Sequence, residues 1–186
     1  MSRTRQSRKR RSANPDVTGD SPEDIPADHP AEPQESKRRS PPSARNQAMN
    51  WLARREYSQA ELRARLAERD FTQEQIEVAV AGLVADGLQS DERFAESFVA
   101  VRMRKGQGPV RIRMELKRRG LAGELIRRYL DVGSQTWANL ASEVRQRKFG
   151  ANMPDDFSEK ARQMRFLEYR GFTGDQIRSA VGDDFD

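Results

Sequence analysis

The chain contains no cysteine, and its 186 residues include one histidine, His29. Without thiols, disulfides, thiolate metal sites and cysteine nucleophiles are excluded, and a reducing compartment is compatible. His29 sits in a segment with almost nothing to bury, where it reads as an exposed tail residue and not as a catalytic or metal-ligating group. No GxxxxGK[ST] or GxGxxG phosphate loop is present, and Gly106-Gln107-Gly108 is too short for either. Carboxylates alone can serve a metal-dependent nuclease. The obvious acidic pairs, however, are Asp155-Asp156, which suits a helix start, and Asp183-Asp184, which lies at the chain end. The expectation is a protein with no catalytic residues, cofactor or metal. No apolar run approaches the roughly 20 residues needed to cross a bilayer, and no apolar segment follows the basic N-terminus to make a secretory signal. A soluble, cytoplasmic protein is expected. Windows of period-two alternation are also scarce, so strands are not expected.

What is present is charge: 34% of residues are charged against 35% hydrophobic, with a formal net charge of +5. Its distribution says more than its total. Residues 45–96 carry a net −3, residues 97–154 a net +9, and residues 155–186 a net −3. A basic centre between acidic flanks orients such a body on a polyanion through its middle.

Residues 1–44 read as a disordered tail, since Val17 and Ile25 are the only large aliphatic side chains after Met1. Its basic clusters, Arg8-Lys9-Arg10-Arg11 and Lys37-Arg38-Arg39, either add sequence-independent nucleic-acid affinity or serve only as a solubilising tail. From Arg45 onward the pattern turns helical. Met49, Trp51 and Leu52 begin a first helix. Ser58 with Glu61, and Thr72 with Gln75, are capping boxes that open the next two. Ser90 opens a helix carrying Phe94, Phe98 and Val101. Helices follow at about Pro109–Arg119, Ala122–Leu130, a segment through Trp137, Leu140 and Val144, about Asp155–Arg170, and a last one with Ile177 and Val181.

A repeat of about fifty residues runs through these helices. Phe71, Leu121 and Phe172 are equivalent positions. Five residues before them stand Leu66, Leu116 and Leu167; five after, Ile76, Ile126 and Ile177; nine after, Val80, Leu130 and Val181. Nine before, Leu62 and Ile112 match, but the third copy has Gln163. Gly120 and Gly171 fit the left-handed position that ends a helix, and Asp70, in the same place, is of a type that visits that region. The fold expected is all-α: three tandem three-helix repeats, at 45–88, 89–132 and 133–186, forming an elongated body that presents a long face and not a pocket.

The stretch from Arg102 to Arg119 is the most distinctive. It holds eight cations and one acid, Glu115, around Gly106-Gln107-Gly108-Pro109, a break followed by a helix start. Val110, Ile112, Met114 and Leu116 are expected on its apolar side. The charge suits phosphates or an acidic protein groove; the alternative is a solvated basic face with no partner. Arg102, Arg104, Lys105, Arg111, Arg113, Lys117 and Arg118 are the candidate contact residues, while Phe94, Phe98, Leu116, Leu121 and Ile126 are expected in the core.

The segment Asp91-Glu92-Arg93-Phe94-Ala95-Glu96-Ser97-Phe98-Val99, then Arg102, then Gly106 to Gly120, resembles the central signature of the RecX family. Leu52-Ala53-Arg54-Arg55-Glu56-Tyr57-Ser58-Gln59-Ala60-Glu61-Leu62 is similar to that family's first repeat. Lys148-Phe149-Gly150, with Arg165-Phe166-Leu167 to Gly171-Phe172, is similar to its third. The resemblance covers about residues 45–182; Asp70 departs from it, standing where the family usually has Gly. It implies a regulator that binds RecA and the RecA–single-stranded DNA filament in its helical groove. Such a regulator suppresses recombinase, ATPase and co-protease activities, and so modulates recombinational repair and the SOS response. A monomer with weak direct DNA binding is the expected form. The competing expectation is an autonomous DNA-binding protein, sequence-nonspecific or with a helix-turn-helix in each repeat; such a protein loses affinity steeply with salt and needs no RecA.

Overall fold

A computed structural model describes residues 43–182, so the expectations for the tail, His29 and the Asp183-Asp184 end lie outside the described residues. The described chain is helical, with no strand among its residues. Its nine helices are α1 (Ala44–Leu52), α2 (Gln59–Ala67), α3 (Gln73–Ala85), α4 (Asp91–Arg104), α5 (Pro109–Arg118), α6 (Gly123–Leu130), α7 (Ser134–Phe149), α8 (Phe157–Arg170) and α9 (Gly174–Val181).

Local chemistry sets most of the helix starts. Ser58 and Thr72 form the expected capping boxes, and Thr173 forms a third with Gln176. Ser90 caps α4, accepting from the Arg93 N–H. Pro109 opens α5, where its missing N–H costs nothing. Asp156 caps α8 by accepting from the Glu159 N–H, which is the role its acidic pair suggested.

Each trio of helices closes on its own apolar cluster, and the repeat register is the register of burial. Leu66, Leu116 and Leu167 are all 0% exposed. Ile76, Ile126 and Ile177, and Val80, Leu130 and Val181, are buried with them. Trp137 belongs to the second cluster although it stands on α7, and its indole N–H donates to the Leu130 carbonyl at 3.1 Å, fastening the start of α7 to the end of α6.

The one break in the register has a chemical reason. Gln163 is buried, and its carbonyl accepts from Arg145, the largest fully buried side chain. The Arg145 guanidinium also donates to the Asn152 and Ala151 carbonyls at 2.8 and 3.3 Å, tying down the α7–α8 connection. The Gln163 amide in turn donates to Glu159, which with Arg162 nearby holds that carboxyl below the usual glutamate range.

Two apolar expectations are corrected: Val110 and Met114, expected on the apolar side of their helix, are exposed, at 40% and 50%. In α5 the residues Pro109, Ile112 and Leu116, spaced three and four apart, fill the core-facing stripe. Val110 and Met114, also four apart, lie on the next stripe and face outward.

Candidate partner-binding face

The same joint holds the repeats together twice. In each case the left-handed break after a repeat's second helix docks on the start of the preceding repeat's second helix. At the first joint the Ser58 hydroxyl, besides capping α2, donates to the Arg119 carbonyl at 2.7 Å, and Arg119 pairs with Glu61 at 3.3 Å. Gly120 has φ +78°, and a Cβ there would overlap the Ala60 methyl. At the second joint the Gly108 N–H donates to the Arg170 carbonyl at 2.9 Å and the Val110 N–H to the Gly171 carbonyl at 3.0 Å. Gly171 has φ +88°, and a Cβ there would lie 2.6 Å from the Arg111 nitrogen. Asp70 occupies the equivalent place in the first repeat at φ +61°, with no preceding repeat among the described residues to dock against. Only the backbone angle constrains it, and Asp tolerates that angle.

These joints divide the candidate cations. Arg102 and Arg111 converge on Glu115, at 2.7 and 3.4 Å. Arg102 also lies over the Phe98 ring, as does Arg119; each guanidinium is 4.7 Å from the ring centroid. Arg111 reaches the Tyr169 carbonyl across the second joint at 3.4 Å. Both side chains are half-buried and committed to holding the fold. Phe98, expected in the core, is instead a half-buried ring packed against it under these two arginines.

Arg104, Lys105, Arg113, Lys117 and Arg118 are exposed and form no ion pair among the described residues. Arg113 and Lys117, four apart on α5, line an open groove of about 460 Å³ with Arg127 and Glu124 of α6. On the other flank of α5, Val110, Met114 and Arg118 border a smaller hollow of about 250 Å³ whose far wall carries Tyr169, 76% exposed. Charge counting pointed to the cations of this face. It missed Arg127 and the apolar rim, because sequence period alone assigned Val110 and Met114 to the core.

Nothing among the described residues gathers three or more His, Asp or Glu side chains into a metal-binding group. No helix of the described residues is long and apolar enough to cross a membrane. The fold and face thus define a class: a tandem-repeat protein, helical throughout its described residues, whose middle repeat presents cations without ion-pair partners on an open surface.

Comparison with known proteins narrows the class. Family models for the first, second and third three-helix domains of RecX match residues 44–83, 90–130 and 138–181. The chain is 43% identical over 139 residues to a regulatory protein RecX of Halorhodospira halophila, covering 75% of this chain and 86% of that one. It is 46% identical over 138 residues to that of Pseudomonas syringae pv. tomato, covering 74% and 89%. A crystal structure of RecX from Lactobacillus salivarius superposes with a TM-score of 0.65 at 19% identity, over 74% of this chain and 92% of that one, a likeness of fold. This chain belongs to the RecX family of regulatory proteins.

Proposed function

We propose that the protein is a cytoplasmic, monomeric regulator that binds RecA and the RecA–single-stranded DNA filament and inhibits its recombinase, ATPase and co-protease activities. Recombinational repair and the SOS response are thereby modulated, without catalysis by the regulator. Family membership supports the regulatory role, and the observation that supports the contact face is the set of five exposed cations in the middle repeat. Two neighbouring repeats flank that face, and none of the five pairs with a carboxylate among the described residues, although Glu124 shares the groove with Arg113 and Lys117. An acidic protein groove, or phosphates exposed within it, supplies the missing charge. Arg102 and Arg111 act at one remove, by fixing α4 to α5 through Glu115.

The test is RecA's single-strand-dependent ATPase with the protein added below equimolar amounts. Inhibition is expected from the parent and from the form beginning at Arg45. It is expected to weaken at least tenfold in Arg113→Glu/Lys117→Glu with helicity unchanged by circular dichroism. These two residues are better probes than Arg111, whose reversal would also break the second joint. Undiminished inhibition by the double variant would remove this face from the mechanism. No inhibition by the parent, with tight salt-sensitive binding to DNA alone, would favour an autonomous DNA-binding protein.

A further inference from the structure

The hollow beside α5 at the second joint is more apolar than the joint requires. Val110, Met114 and Arg118 of α5 face Glu168 and Tyr169 of the last turn of α8 across about 250 Å³. Val110 is 40% exposed, Met114 50% and Tyr169 76%. In the repeat register the matching positions at the first joint are Ala60, Ala64 and Arg118, with Lys117 in the place of Glu168. The first joint closes with those residues, so large apolar side chains are not needed to close a joint. A single exposed valine or methionine is ordinary. Three large apolar groups around one hollow with a charged rim are the arrangement of an interaction site.

The rim charges separate into two kinds. Arg111 and Glu115, which also border the hollow, pair with each other, and Arg102 pairs with Glu115 as well. Arg118 and Glu168 form no ion pair among the described residues. We propose that the hollow is an apolar anchor site for a protein partner. It takes one bulky aliphatic or aromatic side chain of the RecA surface, flanked by a carboxylate for Arg118 and a cation for Glu168. This inference rests on the RecA reading and deepens it: the exposed cations steer the partner, and the hollow holds it.

The lining chemistry favours protein over nucleic acid. An unpaired carboxylate at Glu168 repels phosphates. The Arg111 guanidinium already lies over the Tyr169 ring, 5.5 Å from its centroid, and competes with a base for it. Val110 has no polar side-chain atom to read a base edge, and the Met114 thioether is at most a weak acceptor. The same groups suit an apolar side chain: methionine adapts to the shape of what enters, and tyrosine and arginine are the residue types that dominate binding energy in protein interfaces. Arg111 also donates to the Tyr169 carbonyl, so the wall is held before a partner arrives and less ordering entropy is lost on docking.

The test is biolayer interferometry with the full chain tethered and RecA in solution, without nucleic acid, at low and high KCl. Met114→Ala/Tyr169→Ala is expected to dissociate at least tenfold faster than the parent at both salt concentrations, because losing an apolar anchor acts on dissociation and is not screened. Arg113→Glu/Lys117→Glu is expected to slow association instead, with an effect that shrinks as salt rises. Met114 and Tyr169 are exposed, so helicity and the thermal melt are expected to stay where they were. Met114→Ala alone, which favours the helix, is expected to speed dissociation by a smaller factor. Met114→Leu/Tyr169→Phe keeps the apolar bulk and is expected to restore most of the lifetime. Val78→Ala removes an equally exposed apolar side chain from α3 and is expected to change nothing. Parent-like dissociation of Met114→Ala/Tyr169→Ala overturns the anchor and leaves the RecA reading standing. So does an effect that vanishes at high salt, or one matched by Val78→Ala. Intact RecA binding with lost affinity for a labelled single-stranded oligonucleotide overturns it in favour of a base-binding hollow. A parent that does not bind RecA overturns both readings together.

Discussion

Replacing Gly108 tests the joint between the second and third repeats with little disturbance elsewhere. Its backbone is extended, φ −85° and ψ 167°, which any residue adopts, so no torsional strain enters. A Cβ there would overlap the Gly171 carbonyl and the Phe172 nitrogen, which are backbone atoms that cannot rotate aside. Relief requires α8 and α9 to move off α5. That breaks the Gly108-to-Arg170 and Val110-to-Gly171 hydrogen bonds, worth about 1 kcal/mol each, and adds packing strain of about 1–3 kcal/mol. A loss of about 3–5 kcal/mol is expected for Gly108→Ala by urea denaturation. Gly108 is also the N-cap of α5, and Ala is a poor cap, so Gly108→Ser is the sharper variant: serine caps well but carries the same Cβ. Hydrogen exchange is expected to show lost protection at the amides of residue 108 and Val110, with α3 unchanged. Gly123→Ala is the control, because nothing lies within 4 Å of its Cβ and its stability is expected to stay within about 1 kcal/mol of the parent. A Gly108→Ser protein as stable as the parent, with both amides still protected, would refute the account of the joint.

Two further predictions separate local from tertiary causes. Arg145 is buried without a carboxylate, so Arg145→Met, which keeps the volume and removes the charge, is expected within about 1–2 kcal/mol of the parent. Arg145→Ala, which leaves a cavity, is expected to cost about 3–5 kcal/mol in thermal or urea unfolding; equal damage from both would mean that the charge and not the packing is essential. Asp70→Gly is expected to shift stability by less than about 1 kcal/mol, since only the backbone angle is at issue. Gly120→Asp is expected to cost at least about 2 kcal/mol because Ala60 blocks the new side chain. Comparable effects at the two sites, measured by the same denaturation, would refute the difference drawn between them.

Much of this fold was legible in the sequence because its signals are local. Capping boxes at Ser58 and Thr72 are read within four residues, and the burial register of Leu66, Leu116 and Leu167 follows from spacing alone. The candidate site was legible only in part, because charge type is visible in sequence but charge pairing is not. Arg102 and Arg111 carry the same side chain as Arg104 and Arg113, yet only the folded chain brings the first two onto Glu115. Gln163 looked like a lapse in the repeat and is instead the buried acceptor for Arg145, eighteen residues away. Val110 and Met114 misled because an apolar residue every second position in a short helix falls on two stripes, and the core takes one of them.

The joints explain why the middle repeat carries the charge. It alone among the described repeats has a neighbour on both sides, so it supplies the docking break for one joint and the docking seat for the other. Each joint uses arginine, because a guanidinium spans a carboxylate, a carbonyl and a ring face at once. Arg119 does so at the first joint with Glu61, the Glu115 carbonyl and Phe98. At the second, Arg111 does so with Glu115, the Tyr169 carbonyl and the Tyr169 ring. Cations held this way hold α4, α5 and α8 together, and the backbone positions of the exposed cations beside them are fixed with that frame. A contact face built on such a frame is pre-organised, which lowers the entropy lost when a charged partner docks. Loosening either joint is therefore expected to weaken partner binding even where every exposed cation is intact, so Gly108→Ser links the two halves of the argument: it removes no charge, yet the frame reading requires it to reduce filament inhibition.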